Sequence, residues 1–288
     1  MKEFHGKTAV WLAAFALALA ATGGAWGQGA RPMAMGGAFV GLADDVSAAH
    51  HNPAGLVQLQ AGGAALTQNV TDRDEFNSSD LVIASPIGTK AAAALSWTRM
   101  EFVDPFSFPH EYAEEDWVVS FAAKTGPRSS VGVNVRHISN SDRIASLDVG
   151  FDLGFLWRAK AKWSYGLLIW NVNRPGIRSE GELWGRYPRI WTPGVAYRPD
   201  KTSVITADLF NASNEFGARA LNMGYEKQLK GGWAVRCGVF QIGESNRQAF
   251  TLGCGKDIGG PKSKTSLDVA ALMGDSDDQV LVSVSQKF

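Results

Sequence analysis

Few residues of this chain are spaced to do chemistry. Cys237 and Cys254 are the two cysteines among 288 residues, and no metal-ligand spacing accompanies them. They fall in neighbouring strand-like runs, where a turn over 243–248 can set them opposite each other for a cross-strand disulfide. His50 and His51 are adjacent, so most backbones point them different ways, which suits packing or hydrogen bonding better than a metal site. Asp148 and Asp152 stand four apart in an alternating run, and with Arg136 they read as an interior charge network rather than a catalytic pair. A Ser–His–acid hydrolase needs an exposed serine beside a histidine. His137 is in phase with Val131, Val133 and Val135, which points it outward instead. With neither a phosphate-cradling loop nor a dinucleotide fingerprint, the expectation is a protein that is no enzyme and uses no cofactor or metal.

The elements that carry these residues are more informative. Hydrophobic residues make up 45% and charged residues 19%, with 32 Gly, 10 Trp and 15 Phe, which excludes a disordered chain. Lys plus Arg and Asp plus Glu are 28 each, so no broad basic face exists for nucleic acid. Lys2 and Lys7, the apolar run Ala9 to Ala21 and the small-residue stretch Thr22 to Gly27 form a signal peptide over 1–27. No later apolar run is long enough to span a bilayer as a helix. A membrane-embedded mature protein must therefore cross with strands.

From about residue 61 the pattern has period two. Leu147, Val149, Phe151, Leu153, Phe155 and Trp157 alternate with Asp148, Gly150, Asp152 and Gly154. Val131, Val133 and Val135 likewise oppose Gly132, Asn134 and Arg136. A greasy face against a small or charged one is the signature of a barrel with lipid outside and polar groups inside. About fourteen such runs occur, near 62–69, 80–87, 90–99, 115–124, 130–139, 146–158, 162–171, 189–198, 202–210, 218–228, 232–241, 247–256, 264–273 and 278–288. Alternate connections are short, while the others include the long stretches 100–114 and 172–188, the asymmetry of a barrel with short periplasmic turns and longer outer loops. Trp97, Trp117, Trp157, Trp163, Trp191 and Trp233 fall near strand ends, where headgroups favour such rings. The fold class is all-β: a transmembrane, antiparallel, up-and-down barrel over 61–288.

Residues 28–60 do not alternate. Gly36-Gly37 permits a tight backbone, Asp44-Asp45 can cap a short helix through Ala49, and Asn52-Pro53 breaks it. The succession Met35-Gly36-Gly37-Ala38-Phe39, Asp44-Asp45 and Asn52-Pro53-Ala54-Gly55-Leu56 resembles the opening of FadL-type channels and of the related PorV/PorQ group. That resemblance implies a 14-stranded barrel of the bacterial outer membrane whose segment 28–60 folds back inside as a hatch, with Asn52, Pro53 and Ala54 as its turn. Met35, Gly36, Gly37, Phe39, Asp44, Asp45, Asn52, Pro53, Ala54 and Gly55 become the ligand and hatch residues, and Arg136, Asp148 and Asp152 the lumen charges. Phe288, in phase with Val280, Val282 and Val284, resembles the terminal signal read by the barrel assembly machinery, from which Gln286 departs.

Two functions follow from the resemblance. One is a passive channel for hydrophobic molecules such as fatty acids, sitting in outer-membrane lipid. The other is an adaptor of the PorV/PorQ kind that holds secretion-system proteins, for which the aromatic loop Phe102 to Pro109 is the candidate surface.

Overall fold

The computed structural model describes residues 29–71, 76–103, 111–140, 146–147, 149–160, 162–179, 182–215, 219–243, 248–260, 263–274 and 278–288. The signal-peptide expectation over 1–27, Asp148 and positions 104–109 of the aromatic loop lie outside the described residues.

Fourteen long strands form the wall: β1 Gly63–Thr71, β2 Phe76–Ile87, β3 Ala91–Val103, β4 Glu111–Lys124, β5 Ser129–Asn140, β6 Gly150–Lys160, β7 Trp163–Trp170, β8 Ile190–Tyr197, β9 Ser203–Phe210, β10 Ala220–Gln228, β11 Trp233–Ile242, β12 Ala249–Gly260, β13 Ser263–Gly274 and β14 Gln279–Lys287. Each pairs antiparallel with the next, and β1 pairs with both β2 and β14, so the sheet closes with no edge. Each of the fourteen expected runs meets one strand. Several strands are longer than their apolar alternation: β2 starts at Phe76 rather than 80, β4 at Glu111 rather than 115, and β12 runs to Gly260 rather than 256. Three short strands, Ser146–Leu147, Gly176–Ser179 and Glu182–Arg186, extend the sheet on the long-loop side beside β5.

The alternation is physical. On β6, Phe151, Leu153, Phe155 and Trp157 are 42%, 43%, 48% and 50% exposed, whereas Asp152 and Leu156 between them are 1% exposed. The same outward set continues around the wall through Leu81, Ile83, Trp117, Phe121, Ile205, Tyr225, Leu252 and Val269. A continuous apolar exterior far exceeds the patch of a few hundred Å² that a soluble monomer exposes, so the wall is stable in lipid. Among the described residues no helix is long and apolar enough to cross a membrane. Crossing therefore falls to the strands. Trp157, Trp163 and Trp233 lie toward the turn-side ends of their strands, where Trp163 stacks on Tyr165 and tilts against Tyr197, while Trp191 lies at the loop side and Trp97 and Trp117 adjoin each other at mid-strand.

Cys237 and Cys254 are free and outward-facing. Cys237 stands opposite Leu252, and Cys254 opposite Val235. The β11–β12 register thus places the two thiols diagonally rather than opposite each other, outside the usual span of a disulfide. His137 is exposed on the outward face, as its phase requires.

Candidate functional site

Residues 29–58 contain helix α1 Ala30–Ala34, helix α2 Ala48–His51 and a 3₁₀ helix Pro53–Gln58. They lie against the inward phase of the wall and meet its strands in descending order. Ala30 N–H donates to Ser283 Oγ on β14 at 2.7 Å, and Gly36 N–H to Thr251 Oγ1 on β12 at 3.0 Å. Phe39 and Val40 N–H both donate to Asp208 Oδ2 on β9, at 2.8 and 2.9 Å. Ser164 on β7 donates its hydroxyl to Gly41 O, and Asn52 Nδ2 donates to Phe155 O on β6 at 2.9 Å. On β5, Asn134 Nδ2 donates to Ala49 O and Ser130 Oγ to Ala54 O, at 2.9 and 2.7 Å. Met35, Phe39, Leu42, Ala43, Ala48, Ala49 and Leu56 fill the middle with Val82, Ala84, Ala94 and Ala122 of the wall.

The sequence explains why the backbone can come this close. Gly36 and Gly37 have φ of +64° and +69°, a left-handed pair that reverses the chain after α1. A Cβ on Gly36 would overlap the carbonyl oxygens of Val239 and Met223, and one on Gly166 the carbonyl of Val40. Asn52 uses all of its amide: Nδ2 donates to Val40 O and Phe155 O, while Oδ1 accepts from Ala54 N–H at 3.2 Å and so starts the 3₁₀ helix. Pro53 at its first position gives up an N–H that had no partner there. Gly55 packs on Ala43.

Asp44 and Asp45 divide their roles. Asp45 Oδ1 accepts the Ser47 N–H at 2.8 Å just ahead of α2, whose first turn has no side-chain cap, and its other oxygen meets Arg31 at 2.7 Å. Asp44 caps nothing. It bridges Arg31 at 2.7 Å and Arg198 at 3.0 Å, because a cation on α1 is close enough to claim it. Arg31 also meets Glu226 on β10, which in turn holds Arg236 on β11, and Arg236 reaches Asp268 on β13 at 2.7 Å. Burial disfavours the Arg31 cation, but Asp44, Glu226 and Asp45 outweigh it and hold its pKa well above the usual arginine value. Arg31 also lies 5.3 Å from the centre of the Phe39 ring.

A second charged group lies toward the long-loop side. Arg136 meets Asp152 at 2.7 Å and Asp116 at 3.5 Å, with its guanidinium 4.6 Å from the Trp170 ring centre. Of the three residues expected in an interior network, Arg136 and Asp152 meet here together with Asp116, and Asp148 lies outside the described residues. His50 Nε2 lies 2.8 Å from Asp80 Oδ1, and Thr98 donates to the same oxygen at 2.9 Å. Burial disfavours a charged His50, yet Asp80 outweighs it and raises the imidazole above its ordinary value. The two histidines do part company, since His51 turns to the edge of Phe39 with ring centres 5.4 Å apart. Over this group sits Tyr187, its phenol pushed up by burial and by Glu114.

Arg31, Asp80, Asp116, Asp208, Glu226, Arg236 and Asp268 were not singled out from the sequence. For the wall residues the only signal is an isolated charge on the inward phase of a strand, and Arg31 lies on α1. Among the described residues no cluster of His, Cys, Asp and Glu is arranged to hold a metal ion.

No family model matches the chain, and no curated protein matches it. Solved structures do. The Ralstonia pickettii toluene transporter TbuX aligns with a TM-score of 0.66 at 12% identity, over 90% of this chain and 97% of that one. The Pseudomonas putida toluene transporter TodX aligns at 0.65 and 12%, over 91% and 99%. A Pseudomonas aeruginosa FadL homologue aligns at 0.62 and 11%, over 92% and 98%. Identity at this level speaks for fold alone, and by that measure the wall described above shares the barrel fold of these three proteins.

Proposed function

We propose that this protein is a passive channel for hydrophobic small molecules in the bacterial outer membrane, closed at rest by residues 28–60 acting as a hatch. What supports this reading is a wall closed on itself by the β1–β14 pairing, with residues 29–58 hydrogen-bonded to its inward-facing side chains. That segment joins the wall covalently where it enters β1 and is otherwise held by apolar packing, hydrogen bonds and ion pairs, so a local shift opens a path without unfolding the barrel. The likeness of fold to toluene transporters supports an apolar substrate, and Met35, Phe39, Asn52, Pro53, Ala54 and Gly55 are the residues that a moving hatch rearranges.

The test is uptake across an intact outer membrane. Cells lacking their own hydrophobic-compound channel and expressing this protein should accumulate radiolabelled toluene or a long-chain fatty acid several-fold faster than the same cells without it. Equal uptake with the folded barrel present in the membrane would remove the channel reading.

A further inference from the structure

The turn end of the barrel is cationic. Lys90, Arg128, Lys162, Lys201 and Lys230 stand in the connections β2–β3, β4–β5, β6–β7, β8–β9 and β10–β11, and all five are exposed. Among the described residues these connections hold one carboxylate, Asp200, and Thr202, Ser203 and Lys227 already occupy it. The formal net charge of the whole chain is +0. Charge is therefore sorted along the barrel, with cations gathered at the turns and the remainder of the chain net negative.

The cations also follow the circumference. Lys124 Nζ donates to Thr89 O at 2.7 Å, Arg128 Nη1 to Ala159 O at 2.9 Å and Lys162 Nζ to Pro199 O at 2.8 Å. Lys227 Nζ donates to Thr202 Oγ1 at 2.8 Å, and Lys256 Nζ to Gly231 O at 2.6 Å. Each bond links one turn to a neighbouring turn or strand end, so a run of positive groups skirts the rim from the β2–β3 turn to β12. A carbonyl takes one N–H and neutralises nothing. Lys124, Lys162 and Lys256 each keep two further donors and Arg128 keeps four, and none of these cations meets a carboxylate among the described residues. A second observation ties the rim to lipid. Lys256 continues the outward phase of Phe250, Leu252 and Cys254 on β12, and its ammonium lies 4.8 Å from the centre of the Trp233 ring. Trp157, Trp163 and Tyr165 form a stacked group at the same end. The cations thus stand where the apolar wall gives way to water, the depth at which lipid phosphates lie.

We propose that this rim binds the headgroups of anionic phospholipid in the leaflet on the turn side, whose phosphate oxygens take the free N–H donors of Lys124, Arg128, Lys162 and Lys256. Lipid fits better than a soluble acidic protein because the cations border the apolar wall and follow its curve. A phospholipid sets its phosphate there while its acyl chains run on over Leu252 and Phe250. The proposal stands on the place of the wall in lipid and is independent of the channel reading.

Quenching of tryptophan fluorescence by brominated lipid tests it, with the full chain reconstituted in phosphatidylcholine bilayers. Brominated phosphatidylglycerol should compete for the wall roughly threefold or more better than brominated phosphatidylcholine, the weight of about one surface cation. Salt at about 0.5 M should shrink that preference. Arg128→Gln, Lys162→Gln and Lys256→Gln together should remove most of it, since glutamine keeps an N–H for the turn carbonyls but no charge. Should that triple variant fail to fold, judged by migration before and after boiling, Lys162→Gln and Lys256→Gln singly should each remove part. Arg99→Gln with Arg174→Gln, at the loop end where Glu101, Glu115 and Glu215 already balance these arginines, should leave the preference unchanged. Equal quenching by the two lipids, or a preference lost only with the loop-end pair, overturns the proposal. Polyglutamate bound to the reconstituted barrel with no lipid preference overturns it too, and assigns the rim to a soluble acidic partner.

Discussion

Asp208 offers a direct measure of how firmly residues 29–58 are held against the wall. Its carboxylate is buried on the inward face of β9 and accepts the N–H groups of Phe39 and Val40 through one oxygen. Asp208→Ala leaves two donors facing a wall that offers no replacement. Each orphaned buried donor costs about 1–3 kcal/mol, so the seated segment loses about 2–6 kcal/mol relative to a displaced one. A water entering the vacated volume recovers part of this, which makes the lower figure the working expectation. At 1.4 kcal/mol per factor of ten, about 2 kcal/mol is a roughly 25-fold rise in local opening. Hydrogen–deuterium exchange of the barrel in nanodiscs reads this at residues 36–42, with the β6 amides as an internal control. Asp208→Asn keeps one acceptor and should fall between. Exchange within about threefold of the parent at 36–42, with the wall unchanged, would refute the claim that this carboxylate anchors the segment.

Further expectations follow from the same contacts. Arg31→Met strips Asp45 of its cation and leaves Glu226 to Arg236 and Asp44 to Arg198; breaking a partly buried network of this kind costs about 3–5 kcal/mol, and protease should cut within 29–50 in barrels whose wall stays intact. The raised pKa of His50 means that its ion pair with Asp80 stabilises the segment fully below the ordinary histidine value of about 6.5. That contribution is lost as pH rises through the higher folded value, so exchange at 48–52 should speed up with pH beyond its intrinsic base catalysis, and His50→Asn should abolish the excess. Gly166→Val forces a side chain into the Val40 carbonyl, so single barrels in planar bilayers should show open events that the parent lacks. Cys237 and Cys254 face lipid, so a membrane-soluble maleimide should label both in intact membranes while a charged one labels neither.

The wall was legible because lipid imposes one simple rule on alternate residues. Phe151, Leu153 and Phe155 state the phase, and Asp152 and Gly154 confirm it. Strand ends were less legible for the same reason. Beyond the lipid, β2 continues through Asn77 and Ser78 and β4 through Glu111 and Glu114, where nothing penalises a polar residue on the outer side. The hatch motif announced its tight backbone through Gly36, Gly37 and Asn52, whose requirements are local. Its anchors could not be read. Asp208 and Glu226 each appear as one charge among small inward residues, and their partners Phe39 and Arg31 lie 169 and 195 positions away along a path set by register and closure. The cysteine pair shows how fine that dependence is, since a shift of one residue pair in the β11–β12 register separates opposite from diagonal. The adaptor reading leaned on Phe102 to Pro109, most of which lies outside the described residues, and no observation has come to favour it.

The descending order in which residues 29–58 meet the wall is also a statement about time. Ala30 finds its acceptor at Ser283, 253 residues later, and Phe39 finds Asp208 after 169. Residues 30–40 thus depend on strands made much later, and contacts so distant in sequence form late and slowly. Until β14 pairs with β1, the seat of α1 does not exist. The segment must therefore wait, unstructured and partly apolar, while the wall assembles around the place it will occupy. Closure of the cylinder and seating of its occupant become one coupled event, and a chain truncated before Gln279 loses both together.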